Sequence, residues 1–402
     1  MDRKRIFLIL GFVLLCILLG FGIYWFFFRP LFAPATPPEV EVPPITTLPP
    51  SAPAFPVAPP ITVTPQAPGA PSAVAAGQVT ATTALTTTPA LNPALSADGQ
   101  SISFYNPADG KFYRVRPDGT TETLDNRIFH NVQKVTWAGD RNQAILEYPD
   151  QSKILYNFGT QTQISLPRHW QEFSFSPSSD QIAFLSMGLD QQNRWLAMAN
   201  ADGSKTTAIE PLGDNANKVQ VAWSPNNQMI AFSRTGQPQG LNSQEVLLIG
   251  KNQENFKSLL INGLDFVGQW SPDGERVLYS AANGDDDWKP RLWVVNADVD
   301  NTSTGKTPLN INTWADKCVF ADAATVYCAV PKDLRRGAGL YRQVSDTTAD
   351  DIYRVDITTG ATSLIAIPAE NYSVGQIMVT SGEEYLYFTD RATGQLYKIN
   401  LR

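Results

Sequence analysis

From Leu95 to the C-terminus the chain alternates short apolar runs with tight polar turns. The clearest unit is Gln269-Trp270-Ser271-Pro272-Asp273-Gly274-Glu275-Arg276-Val277-Leu278-Tyr279-Ser280. One strand ends at an aromatic residue, a turn follows, and Val277, Leu278 and Tyr279 open a second strand with β-forming residues. Pro presets φ at one turn position and Gly accepts a positive φ at another. The unit recurs at Trp223-Ser224-Pro225 before Met229-Ile230-Ala231-Phe232, and at Phe175-Ser176-Pro177 before Gln181-Ile182-Ala183-Phe184. Weaker copies are anchored at Leu95, Trp137, Phe320 and Val379.

Successive anchors are 38 to 59 residues apart. A β-rich repeat of about 40–50 residues is the signature of a propeller blade of four antiparallel strands, a to d from the axis outwards. Strand c is legible at 111–115, 195–199, 291–296, 351–356 and 395–400, generally followed by a turn and strand d. The chain ends after the last strand c. Residues 78–85, Gln-Val-Thr-Ala-Thr-Thr-Ala-Leu, are therefore expected to close the ring as the outer strand of the last blade. The fold expected is all-β, a seven-bladed β-propeller over 77–402, with six blades and one irregular unit as the alternative. These repeats resemble the propeller repeats of TolB and of related WD-like propellers. The resemblance spans roughly 95–402, rests on the Trp-Ser-Pro-Asp-Gly unit, and does not extend to the N-terminal domain of TolB.

The N-terminal pattern is different. Arg3-Lys4-Arg5 precedes an apolar run that opens at Ile6 and closes at Phe28. As a helix it would span about 35 Å, enough to cross a bilayer core with some tilt. Tyr24-Trp25-Phe26-Phe27-Phe28 fits an interfacial aromatic belt, and the positive charges before the run place residues 1–5 in the cytoplasm. A single-pass anchor in the cell membrane with an extracytoplasmic propeller is the expectation, and a cleaved signal peptide is the competing reading. Residues 29–76 then form a linker. Of 30 prolines, 17 fall between Pro30 and Pro93. Such a segment cannot bury a core and favours polyproline II.

Composition narrows the chemistry. The net charge of −7 argues against a nucleic-acid partner, which requires a basic face. There are two histidines, His130 and His169, and three cysteines. No cofactor motif, P-loop or Gly-x-Ser-x-Gly is present, so a catalytic set cannot be argued and no metal site is assigned.

Candidate binding residues follow from the topology. In a propeller the a–b and c–d turns share one face, while b–c loops and blade-to-blade links share the other. Here the a–b turns are short. The long connections, 186–193, 234–243, 281–290 and 332–350, are all b–c loops. One face is thus elaborated, and function concentrates on such loops. On it fall Asp285, Asp286 and Asp287, an acidic run that offers oxygens to Ca²⁺ or stands as a solvated loop. Trp170, Trp288 and Trp314 are candidate stacking platforms or core residues. Arg335, Arg336, Tyr341 and Arg342 form a basic, aromatic stretch in an acidic protein. Cys318 and Cys328 fall on neighbouring strands of the sixth blade, where an oxidising compartment permits a disulfide.

Together these features favour a non-catalytic binding scaffold for a protein or cell-envelope polymer. The alternatives are a propeller lyase or hydrolase acting on an envelope glycan or peptide, and an extracytoplasmic sensor subunit.

Overall fold

The computed structural model describes Leu14, Leu18 and Leu19, which are helical, and residues 70–402 except Leu241 and Asn255. The anchor expected at residues 6–28 and the linker up to residue 69 lie almost entirely outside the described residues. Among the described residues no helix is long and apolar enough to cross a membrane. The chain divides into two units, Met1–Ala67 and Pro68–Arg402, and the second is a β-propeller of seven sheets.

Four strands build each blade, joined in chain order. Blade one comprises Leu91–Leu95, Ile102–Asn106, Lys111–Val115 and Thr121–Thr123. Blade two comprises Lys134–Trp137, Gln143–Glu147, Lys153–Asn157 and Thr162–Leu166. Blade three comprises Trp170–Phe175, Gln181–Met187, Arg194–Asn200 and Thr207–Pro211. Blade four comprises Val219–Val221, Met229–Ser233, Ser243–Gly250 and Leu259–Asn262. Blade five comprises Leu264–Trp270, Arg276–Ala282, Pro290–Asn296 and Thr307–Pro308. Blade six comprises Cys318–Phe320, Thr325–Pro331, Asp350–Asp356 and Thr362–Pro368. Blade seven takes Val374–Val379, Tyr385–Asp390 and Leu396–Asn400 from the C-terminus.

The ring closes differently from the expectation. Only Thr83–Ala84 pairs antiparallel with the last strand, completing blade seven. Gln78–Thr80 instead runs parallel to the outer strand of blade six, which becomes five-stranded. One closing segment thus covers two exposed edges. Residues 72 and 75, which the sequence pattern places in the linker, are hydrogen-bonded to propeller residues. Ser72 N–H donates to the Val79 carbonyl at 2.8 Å, and Ala75 N–H to the Asn400 carbonyl at 2.9 Å.

The recurring Ser after each strong anchor has a physical task. Ser271 Oγ accepts from Arg276 N–H at 2.9 Å, Ser224 Oγ from Met229 N–H at 2.9 Å, and Ser176 Oγ from Gln181 N–H at 3.1 Å. Each hydroxyl caps its a–b turn. Gly274 has φ +73°, and a Cβ there would come within 2.7 Å of Asn226 N. Glycine is required by both counts.

The core is not central. Among the described residues seven apolar layers lie one at each junction between neighbouring blades, and a small eighth cluster lies under the blade-six loop. Trp270 of blade five stacks on Phe232 of blade four, with ring centroids 4.9 Å apart. Amide side chains tie the inner strands together. Gln220 exchanges two hydrogen bonds with the Gly268 backbone, at 2.7 and 3.1 Å. Gln376 Nε2 donates to the Pro93 carbonyl at 2.7 Å, joining blade seven to blade one.

Candidate binding face

The long b–c loops of blades five and six brace each other. Asn283 opens the blade-five loop, and its side chain accepts from the N–H groups of Asp285 and Asp286. A single 3-10 turn over Gly284–Asp286 results. Asp287 and Trp288 both adopt left-handed backbone, with φ 55° and 57°. Their carbonyls then receive the blade-six loop. Gly337 N–H donates to Asp287 O at 2.9 Å, and Gly339 N–H to Trp288 O at 2.8 Å. A Cβ on Gly339 would approach Ala282 Cβ to 2.5 Å, so this close approach requires glycine.

Charges anchor the same loop at its base. Lys317 Nζ donates to both carboxylate oxygens of Asp350, each at 2.7 Å, and Asp350 also accepts from Val374 N–H at 2.7 Å. The two side chains are 3% and 0% exposed. Burial pushes Lys317 down from the usual lysine range and Asp350 up from the usual carboxylate range, and their contact opposes both shifts. Arg342 pairs with Asp316 at 2.6 Å, and its guanidinium lies 4.9 Å from the Trp314 ring centroid. Arg391 of blade seven pairs with Asp346 at 3.1 Å.

The sequence-derived candidates separate into two groups. Trp170 is 4% exposed and stacks on Phe184 with centroids 3.8 Å apart. Trp314 is 2% exposed and packs with Leu334 and Ala338. Neither presents a platform, and both are corrected to core residues. Trp288 is half-buried in the brace. Asp286 turns toward Arg291, 3.2 Å away, while Asp285 and Asp287 are exposed. Among the described residues no group of three His, Cys, Asp or Glu could hold a metal ion. Arg335, Arg336 and Tyr341 stand exposed on the blade-six loop, and Tyr341 is 68% exposed. His130 and His169 are exposed and lie in different blade-to-blade links.

Cys318 and Cys328 face each other directly across the first two strands of blade six, with sulfurs 2.13 Å apart, a bonded distance. Both are buried.

Sequence reasoning overlooked the apolar residues on this face. Leu340 and Val344 flank Tyr341 and are exposed, and Leu189 on the blade-three loop is 99% exposed. The signal was present as three aliphatic residues inside polar loops, where burial cannot explain them. A groove of about 330 Å³ runs beside the blade-six loop, lined by Lys289, Asn310, Asn312, Lys332 and Tyr353.

No protein-family model matches the chain, and no curated relative matches it. Solved structures match its fold. The β-propeller domain of Cps50 (Swd1) from Myceliophteria thermophila is similar with a TM-score of 0.55 and 11% identity, over 80% of this chain and 100% of that one. An oligogalacturonate lyase in complex with manganese gives 0.53 and 12%, over 80% and 93%. The tricorn protease gives 0.49 and 11%, over 78% of this chain, which spans about a third (33%) of that protein. At these identities the likeness to the first two shows the β-propeller fold alone.

Proposed function

We propose that this protein is a membrane-tethered propeller whose loop face binds a protein or a cell-envelope polymer without catalysis. The run at residues 6–28 would anchor the chain, and the Pro-rich linker would hold the propeller outside the cell. The observation that carries the binding reading is the braced loop of blade six. It is fixed to blade five by Gly337 and Gly339 and to the ring by the Lys317–Asp350 pair, yet its tip exposes Leu340, Tyr341 and Val344 beside Arg335 and Arg336. A rigid loop that displays an aromatic anchor with arginines has the composition of an interaction hot spot.

The test is capture from native envelope extract with the full chain and with a variant carrying Arg335→Ser, Arg336→Ser, Tyr341→Ser and Val344→Ser. These side chains are surface-exposed, so the variant keeps its fold. A partner held by the intact chain and lost by the variant supports the reading. Equal capture by both removes the loop from the binding surface.

A further inference from the structure

The axial channel is lined by a cation that makes no ion pair among the described residues. A cavity of about 490 Å³ lies among the innermost strands of blades one, two, six and seven. Its wall is polar and apolar in equal parts, with Leu95, Val135, Trp137, Phe320 and Met378 supplying apolar surface. Arg141 lines the same cavity from the a–b turn of blade two, on the face opposite the long loops.

Arg141 is partly buried, and its one side-chain hydrogen bond runs from Nη1 to the Ala138 carbonyl at 3.2 Å. Burial lowers its pKa, and the only charge that opposes this is that of the neighbouring Asp140. On the loop face Arg234, Arg291, Lys317, Arg342 and Arg391 each sit against a carboxylate.

The turn that carries Arg141 is one the blades repeat. Arg141 has φ 58°. Its N–H closes the turn onto Ala138 O, as Gly99, Ser179, Asn227, Gly274 and Glu383 do in their own blades. All of these positions are left-handed, which glycine adopts freely and a long side chain adopts at a cost. In blade seven the occupant, Glu383, is engaged by Tyr327 at 2.5 Å and by Arg354 at 3.9 Å. In blade two a strained backbone delivers a guanidinium into a cavity that offers it no partner. The left-handed position belongs to the repeated turn, and what is particular to blade two is the arginine that it carries.

We propose that Arg141 is the anion-binding residue of the axial cavity, and that the cavity takes a carboxylate carried on an apolar body. A guanidinium holds a carboxylate through two parallel hydrogen bonds, strengthened where water is scarce. Asn92 and Thr136 supply further polar groups in the same wall, and the aromatic residues receive the apolar part. This site is independent of the loop face, so its failure leaves the scaffold reading intact.

The test is a fluorine NMR titration of the full chain with 4-fluorophenylacetate, with 4-fluorophenylacetamide as the neutral control. Saturable binding of the acid alone is expected. Arg141→Gly should weaken it at least tenfold while raising Tm by about 1–2 °C through relief of strain. Arg141→Lys should retain part of the affinity. Displacement of the probe by Ala-Ala-Phe with a free C-terminus, and not by its amide, would assign the carboxylate to a protein terminus. Failure of the peptide to displace it would assign a small organic acid. Absence of saturable binding, equal binding to the amide, or unchanged binding by Arg141→Gly would overturn the proposal. A fall in Tm for Arg141→Gly would overturn it too, since that would make the arginine a structural element.

Discussion

Both faces of the disc pair some cations with carboxylates, and the telling contrast is between the buried Lys317–Asp350 pair under the loop face and Arg141 in the axial cavity. On the loop face Lys317, Arg342 and Arg391 reach Asp350, Asp316 and Asp346, and these pairs hold the base of the blade-six loop. On the turn face Arg141 enters the axial cavity with no acid to meet it. A paired charge organises the fold around it, whereas an unpaired one in a cavity is available to a ligand. The loop face commits Lys317, Arg342 and Arg391 to rigidity and leaves Arg335, Arg336, Leu340, Tyr341 and Val344 for contact. The turn face keeps short turns and sets the Arg141 guanidinium in the cavity wall.

The sharpest break in this comparison comes at Lys317. Lys317→Met strands a buried carboxylate and should cost about 3–5 kcal/mol in guanidinium unfolding. Adding Asp350→Asn removes that charge while keeping an acceptor for Val374 N–H, and should recover more than half of the loss. A single mutant as stable as the parent would show that the pair does not organise the loop face.

The disulfide comes next. Cys318 and Cys328 are separated by 10 residues in sequence. Replacing both with Ala should cost about 2–3 kcal/mol, read as a lower denaturation midpoint under oxidising conditions. Under reducing conditions the two proteins should approach each other in stability. A variant equal to the parent in oxidising buffer would mean that the bridge adds nothing to blade six.

Much of this architecture was legible in local patterns, because a propeller blade repeats its turn chemistry. Ser224 and Ser271 cap turns that the sequence already marks with Ser-Pro, and strands b and c are continuous apolar or alternating runs. Pairing partners were less legible. Residues 78–85 include β-formers such as Val79 and Thr83, but nothing local says that Gln78–Thr80 joins blade six and Thr83–Ala84 joins blade seven. Trp170 was misplaced for a related reason. It opens a strand whose register shifts between Gln171 and Ser174, with Glu172 left-handed, so alternation does not predict its side. Lys317 and Asp350 are 33 residues apart, and only the assembled ring shows that they are buried together. Arg141 was missed because a turn arginine is ordinarily solvated, and only the closed channel makes it unusual.

The smallest stability effect belongs to the exposed tip. Tyr341→Ser with Val344→Ser should change unfolding free energy by no more than about 0.5 kcal/mol. A larger loss would mean that these residues pack within the fold, and it would weaken their assignment as a contact surface.

The central claim is that the loop face, and the blade-six tip above all, meets the macromolecular partner. The most direct measurement installs a photo-crosslinking residue in the full chain in native membranes, at Tyr341 in one protein and at Asp118, on the opposite face, in another. The account predicts one discrete crosslinked species from position 341 and none from position 118. Crosslinking from 118 with none from 341 would contradict it.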